Sequence, residues 1–390
     1  VTLFMKVLIS KIAILSRICA GLVFIFSGFV KAVDPLGSTY KFIDYFHAFN
    51  MPWLEPAASP LAILLSGSEF LIGVCLLLFI RNKLANWGAL LFMAGFTPLT
   101  LWLALTNPVQ DCGCFGDAII LSNWQTFYKN IVISALVIIS FIYRNSTKRW
   151  MSVKSEWLIA ASTALFITGF SLFNYKHLPV IDFRPYKIGT NIPEGMIIPE
   201  DAPASVYEQY FTLLDTISGN KVSIESNIYM SDSIYWKKGT TWKFISSTEP
   251  VMVKRGYQPA IHDFSISSLS GEDITEKVLA DTGYYFIVVA YDLKKSEIKY
   301  QSEINRLFNQ AVADNHKFIC LTAVTSSEIE QFKTAQDAVY EFYITDPITL
   351  KTIIRANPGL IILHKGTIIA RWASNDIPGY DKIKKKYLKK

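Results

Sequence analysis

Residues 111–117 read DCGCFGD, which puts Cys112 and Cys114 one glycine apart between two carboxylates in a chain with five cysteines. Thiols at that spacing can cycle between dithiol and disulfide, lock into a permanent clamp, or give two ligands to a metal. A disulfide needs its Cα atoms within about 7 Å. Residues i and i+2 meet that limit where the backbone turns, and Gly113, with no Cβ, permits the turn. A ring that small is strained, and strained or exposed bridges are the ones that exchange. Metal binding is disfavoured, because Cys-x-Cys supplies two ligands and only His47, in another loop on the same side, could add a third. Asp111 and Asp117 oppose thiolate formation unless Lys31 or Lys129 offsets them. Cys19, Cys75 and Cys320 fall in apolar runs and read as inert packing.

The elements that must hold this loop are membrane spans. Hydrophobic residues make up 51% of the 390 residues and charged residues 18%, too apolar a balance for a purely soluble chain. A span needs roughly 20 mainly apolar residues, and the segments 11–31, 60–80, 84–105, 125–143 and 156–173 meet that need. The first reads as a span rather than a cleaved signal peptide, for it lacks a small-residue cleavage site. Lys6 and Lys11, Arg81 and Lys83, and Arg144, Lys148, Arg149 and Lys154 all fall on one side of these spans. Short loops rich in Lys and Arg stay in the cytoplasm. The expectation is therefore a bacterial inner-membrane protein with its N-terminus inside. DCGCFGD and everything after the fifth span then lie in an oxidising periplasm, where disulfides persist.

Arg17 and Glu69 lie within the first and second expected spans. A charge near the bilayer centre costs at least about 3 kcal/mol, so an inward-facing, paired residue is expected. An arginine side chain is long enough to suggest that the two pair with each other, either as helix glue or as one wall of a pocket for a quinone headgroup or a proton path. Pro98 in the third span frees a backbone carbonyl that could also shape a cavity.

The first span with SGFVKAVDP, then GSEFLIGVCLLL, then DCGCFGD ahead of the fourth span resembles the DoxX-like superfamily, and specifically its MauE branch, over roughly residues 7–145. The resemblance implies a four-helix membrane bundle whose Cys-x-Cys-Phe-Gly loop does thiol–disulfide chemistry coupled to a membrane electron carrier. It transfers Cys112 and Cys114 as the redox pair, with Glu69 and Arg17 as the intramembrane polar pair.

After the spans, residues 176–252 alternate in strand fashion, with Gly219-Asn220 and Lys238-Gly239 as hairpin turns. From 253 onward strands and helices alternate: YYFIVVAYD, then EIKYQSEINRLFNQAVADN, KFICLTAV, SSEIEQFKTAQDA and GLIILHKGTIIARW. That order resembles a thioredoxin-like domain of the TlpA type, with Pro358 as its cis-proline and Gly366 in the final hairpin. The stretch after the first central strand, VVAYDLKKSEIKY, lacks the dithiol such domains carry, so this domain is expected to be redox-inert. The expected architecture is a multi-domain membrane protein. A bundle over 1–145 is followed by a fifth transmembrane helix within 146–175, a small β-rich region over 176–252, and an extracytoplasmic α/β thioredoxin-like domain over 253–390. Net charge is only +6, and no nucleic-acid module, phosphate loop or repeat is present. The terminal KIKKKYLKK reads as a solvated tail.

Two functional readings stand side by side. In one, the chain exchanges disulfides with an exported or periplasmic protein and passes electrons to a quinone. In the other, it is a non-enzymatic membrane scaffold or assembly factor whose outer domain grips a partner. A transporter is disfavoured by the small number of spans and the absence of a repeat.

Overall fold

A computed structural model of the chain describes residues 2–109, 111–146, 149–254 and 256–388. Lys148, Lys389 and Lys390 lie outside the described residues, as does the side chain of Lys6. Six helices come first: α1 (Thr2–Val33), α2 (Pro35–Ala48), α3 (Ala58–Leu77), α4 (Asn82–Thr106), α5 (Asn123–Ile142) and α6 (Val153–Lys176). Among the described residues, five stretches are long and apolar enough to cross a membrane: Leu8–Val33, Pro52–Leu77, Asn82–Thr106, Asn123–Ile142 and Val153–Lys176. They coincide with the five expected spans. Their outer faces expose large apolar side chains, Leu158 at 71% and Leu165 at 77% among them. Helices that are apolar all round fit a lipid surrounding rather than water.

α1 and α3 run side by side in opposite directions, and their packing is the closest in the bundle. A Cβ on Gly28 would sit 2.4 Å from the Phe70 nitrogen and 2.7 Å from the Ser66 oxygen, so only glycine lets these backbones meet. Small residues at helix crossings are the usual means of such approach in lipid. The short helix α2 was not expected from the sequence. It starts where Pro35 occupies the first turn and the Asp34 carboxylate accepts from the Gly37 N–H at 2.9 Å, a combination that favours helix initiation.

Residues Val1–Thr190 and Phe264–Lys390 form one compact unit and Asn191–Asp263 another. Within the first, β6 (Tyr284–Val289), β7 (Lys317–Thr322), β8 (Glu341–Ile344), β9 (Gly359–His364) and β10 (Thr367–Ala373) form a sheet ordered β10-β9-β6-β7-β8. β6, β7 and β8 are parallel, while β9 runs antiparallel to both β6 and β10. β6 is almost wholly buried, as expected for a continuous apolar strand covered on both faces. Helices Gln301–Ala313 and Ser326–Gln336 follow β6 and β7 where helices were expected. β8 and the helix Pro347–Ile353 were not read from the sequence. The Asn357–Pro358 bond is cis. Lys365 and Gly366, both at positive φ, turn β9 into β10, the geometry of a tight two-residue hairpin.

The smaller unit contains β1 (Val206–Glu208) paired with β5 (Val251–Lys254), and a three-stranded sheet in which β2 (Tyr210–Asp215) lies between β3 (Lys221–Glu225) and β4 (Trp242–Ser247). It overlaps the expected β-rich region 176–252 but begins and ends later. β5 pairs back onto β1, while Gly189 and Thr190 bond the backbone of Ile368 in the larger unit. Gly219 turns β2 into β3 as expected. Lys238-Gly239 makes no hairpin, because Ser226–Ser231 and Ser233–Tyr235 are helical and β3 does not pair with β4. Asp232, accepting from the Ile234 N–H, starts the second of these turns, a local side-chain bond that outcompetes strand pairing.

Candidate functional site

The loop between α4 and α5 brings the two thiols together. Cys112 Sγ and Cys114 Sγ face each other at 2.8 Å, and closing them to a bond of about 2.05 Å needs only a sub-ångström shift. Gly113, at φ +66°, makes the turn; a Cβ there would strike the Lys41 side chain at 2.9 Å. Each neighbouring residue is tied down. The Tyr45 hydroxyl donates to the Cys112 carbonyl at 2.7 Å and the Ser27 hydroxyl lies 2.9 Å from the Cys114 carbonyl. Lys41 holds Asp111 at 2.8 Å, and Arg355 holds Asp117 at 2.9 Å. Phe115 packs edge-on against Phe26, and the Lys129 ammonium sits 4.1 Å over the Phe115 ring.

The electrostatics separate the two sulfurs. Cys114 is lowered to about 6, chiefly because Cys112 donates a hydrogen bond to it, with Lys129 and Lys31 adding attraction against burial and the Glu69 charge. Cys112 moves up, because its proton is held in that bond and because it is buried, 7% exposed. The two aspartates do not oppose the thiolate as strongly as their sequence proximity suggests, since Lys41 and Arg355 occupy them. Lys31 and Lys129 supply the offset the sequence left conditional.

Glu69 is buried beside this loop, but its partner is Lys31. Lys31 Nζ lies 2.7 and 2.9 Å from the two Glu69 oxygens and 2.8 Å from Ser27 Oγ, and Ser27 Oγ lies 2.8 Å from Glu69 Oε2. Ser27 has one proton to donate, so it accepts from Lys31 and gives its own to either Glu69 or the Cys114 carbonyl. The expected Arg17–Glu69 pair is absent. Antiparallel packing sets Glu69 level with Ser27, ten residues and about 15 Å from Arg17 along α1. Arg17 instead bonds Leu76 O at 2.9 Å, Cys75 O at 3.4 Å and Asn82 Oδ1 at 2.5 Å, and lies over the Phe79 ring. It closes off the far end of the α1–α3 pair. Lys31 is the last residue of the expected first span and was not read as the partner of Glu69, whereas α1 continues past it to Val33. The usable signal was the i, i+4 spacing of Ser27 and Lys31, which puts both on one helix face.

Cys114, Ser27, Lys31, Glu69, Lys129 and Asn130 share the wall of a half-open cavity of about 40 Å³, with Phe92 and Phe96 of α4 on its apolar side. That is room for a few waters. Pro98 lies inside α4 beyond this wall. His47 bonds Glu55 at 2.8 Å. Cys320 is buried in β7, where burial pushes its thiol up.

The sheet-bearing region meets this end of the bundle through Arg355. Its guanidinium reaches Asp34 at 2.8 Å and Asp117 at 2.9 Å with 7% of the side chain exposed, and Tyr291 bonds Tyr40 at 3.1 Å. Those carboxylates raise the affinity of Arg355 for its proton despite burial. The residues after β6 thus pack on α2 and carry no cysteine. Neither Asp34 nor Arg355 stood out in the sequence, being 321 positions apart.

Vicinal thiols of unequal acidity, beside a cavity and a buried ion pair, can form and break a mutual bond and exchange protons with a bound molecule. No curated protein matches the chain. Residues 9–143, which hold α1 from its second turn through the end of α5 and with them both sulfurs and the Lys31–Glu69 pair, match the family model described as methylamine utilisation protein MauE.

Proposed function

We propose that this chain is a membrane accessory protein that exchanges disulfides through Cys112 and Cys114 and passes the electrons to a quinone. One observation carries the reading: the two sulfurs face each other at 2.8 Å on the wall of a cavity shared with a buried Lys31–Glu69 pair. The match to the MauE family supports a setting in methylamine utilisation, where the substrate is an exported protein dithiol. On this reading the bundle is DoxX-like and sits in the inner membrane. The N-terminus is cytoplasmic, and the loop and sheet-bearing region are periplasmic. The strand order supports a thioredoxin-like fold for that region, which presents the partner and does no redox chemistry of its own.

The chemistry balances as follows. The Cys112–Cys114 disulfide accepts two electrons from a partner dithiol through a mixed disulfide, leaving the partner oxidised and both cysteines reduced. The cysteines then re-form their bond, releasing two electrons and the Cys112 proton, which with one proton from water convert a quinone to a quinol. In its present form the cavity is water-sized, so the quinone ring reaches Cys114 from the open side, between the aromatic side chains of α4 and Phe115.

The second reading, a non-enzymatic scaffold, draws on the tight clamping of the loop by Lys41, Tyr45, Ser27 and Arg355. Replacing both cysteines by serine in cells separates the two. Lost maturation of the partner with normal protein levels supports exchange, and retained maturation supports the scaffold.

A further inference from the structure

Lys31 and Glu69 are each 7% exposed, and the exchange reaction needs no fixed charge there to hold the loop, which has its own anchors. The three protons of the Lys31 ammonium are all engaged, two by Glu69 and one by Ser27, and Ser27 Oγ also touches the backbone of Cys114. Moving one proton from lysine to glutamate converts a charged pair into a neutral one with no change in net charge. The charged and titratable groups facing Cys114 are Lys31 from α1, Glu69 from α3, Lys129 from α5 and Cys112 from its own loop. α4 contributes Phe92, Met93 and Phe96 to the cavity, and on α2 Lys41 is taken by Asp111 and Tyr45 by the Cys112 carbonyl. Lys129 stacks on Phe115. Lys31 is the cavity cation held against a proton acceptor.

We propose that the Lys31–Glu69 pair is the proton relay of the site, through which protons reach the oxygens of the electron acceptor. The proposal rests on the exchange reading above. As the S–S bond forms, the electron pair passes to the acceptor, Lys31 gives its proton to an acceptor oxygen, and the proton leaving the sulfurs restores it through cavity water. With Cys114 held as the thiolate, the second proton enters from solvent water by the same route. Lys31 then has two separable roles, a fixed charge near Cys114 and a donor of protons.

Lys31→Arg separates them, because arginine keeps the charge and the ion pair but does not release a proton at ordinary pH. The full-length protein in lipid nanodiscs is given dithiothreitol as reductant and a short-chain benzoquinone as acceptor. Quinol formation is followed alongside the pH profile of Cys114 alkylation. The expected result for Lys31→Arg is an alkylation midpoint within roughly 0.3 unit of the unsubstituted protein. Quinol formation falls by about 100-fold, the scale of a lost proton-transfer group. Glu69→Gln, close in size, covers the case in which the arginine does not fit: losing the Glu69 charge should lower the alkylation midpoint, while quinol formation still falls by about 100-fold. Wild-type rates in both variants overturn the relay while leaving disulfide exchange standing. A rate loss matched by an equal change in alkylation reduces Lys31 to a charge and also overturns it. Failure of the unsubstituted protein to make quinol while its sulfurs stay reduced removes the exchange reading and the relay with it.

Discussion

The two ends of the α1–α3 pair each bury a cation, and they use it differently. At one end Arg17 spends its donors on two backbone carbonyls and Asn82 and caps its guanidinium with Phe79. At the other, Lys31 meets a carboxylate on the wall of a cavity that also holds Cys114. Both residues satisfy the demand that a charge in lipid find partners. The second leaves open space beside a reactive group. A buried charge marks a working site when its surroundings are incomplete and marks a joint when they are filled.

Substitutions at the two ends should break along this line. The largest effect is expected for Glu69→Leu, which strands the Lys31 ammonium. Removing one partner of a buried pair costs about 3–5 kcal/mol, visible as a lower thermal midpoint by tryptophan fluorescence. Adding Lys31→Met to it should recover most of that stability and none of the activity. Recovery of both would make the pair a joint like Arg17. Arg17→Met, which removes the side-chain bonds to Leu76 O, Cys75 O and Asn82 Oδ1, should cost about 1–3 kcal/mol without moving the pH profile of Cys114 alkylation. A moved profile would couple the two ends and undo the distinction. Lys129→Gln should raise the Cys114 midpoint from about 6 by roughly 0.5–1 unit, a differential interaction of about 1 kcal/mol. The sign follows from losing a cation that favours the thiolate. The smallest effect is expected for Cys320→Ala, trimming one sulfur from a packed core at a cost of roughly 1 kcal/mol with no change in the trapped state of Cys112 and Cys114.

Much of the membrane part was legible because the signals are local. Runs of apolar residues mark the five spans, and two cysteines around a glycine mark the loop. The partner of Glu69 was not legible, because it depends on the register of two antiparallel helices set by the close contact at Gly28. Fourteen positions along α1 separate the expected partner, Arg17, from the observed one, Lys31. Arg355 was hidden for a similar reason: its partners Asp34 and Asp117 lie hundreds of residues away and join it only once the chain has folded. In the smaller unit, the expected hairpin at Lys238-Gly239 is missing because the chain is helical over Ser226–Ser231 and Ser233–Tyr235, with Asp232 capping the second turn.

Mass analysis of the loop peptide after thiol alkylation tests the central claim most directly. The full-length protein is reduced in nanodiscs and then given one equivalent of oxidised short-chain benzoquinone. The account predicts that Cys112 and Cys114 become joined to each other, unalkylated and two hydrogens lighter, with one quinol formed per bond. Two fully alkylated thiols after the quinone has been added would contradict it.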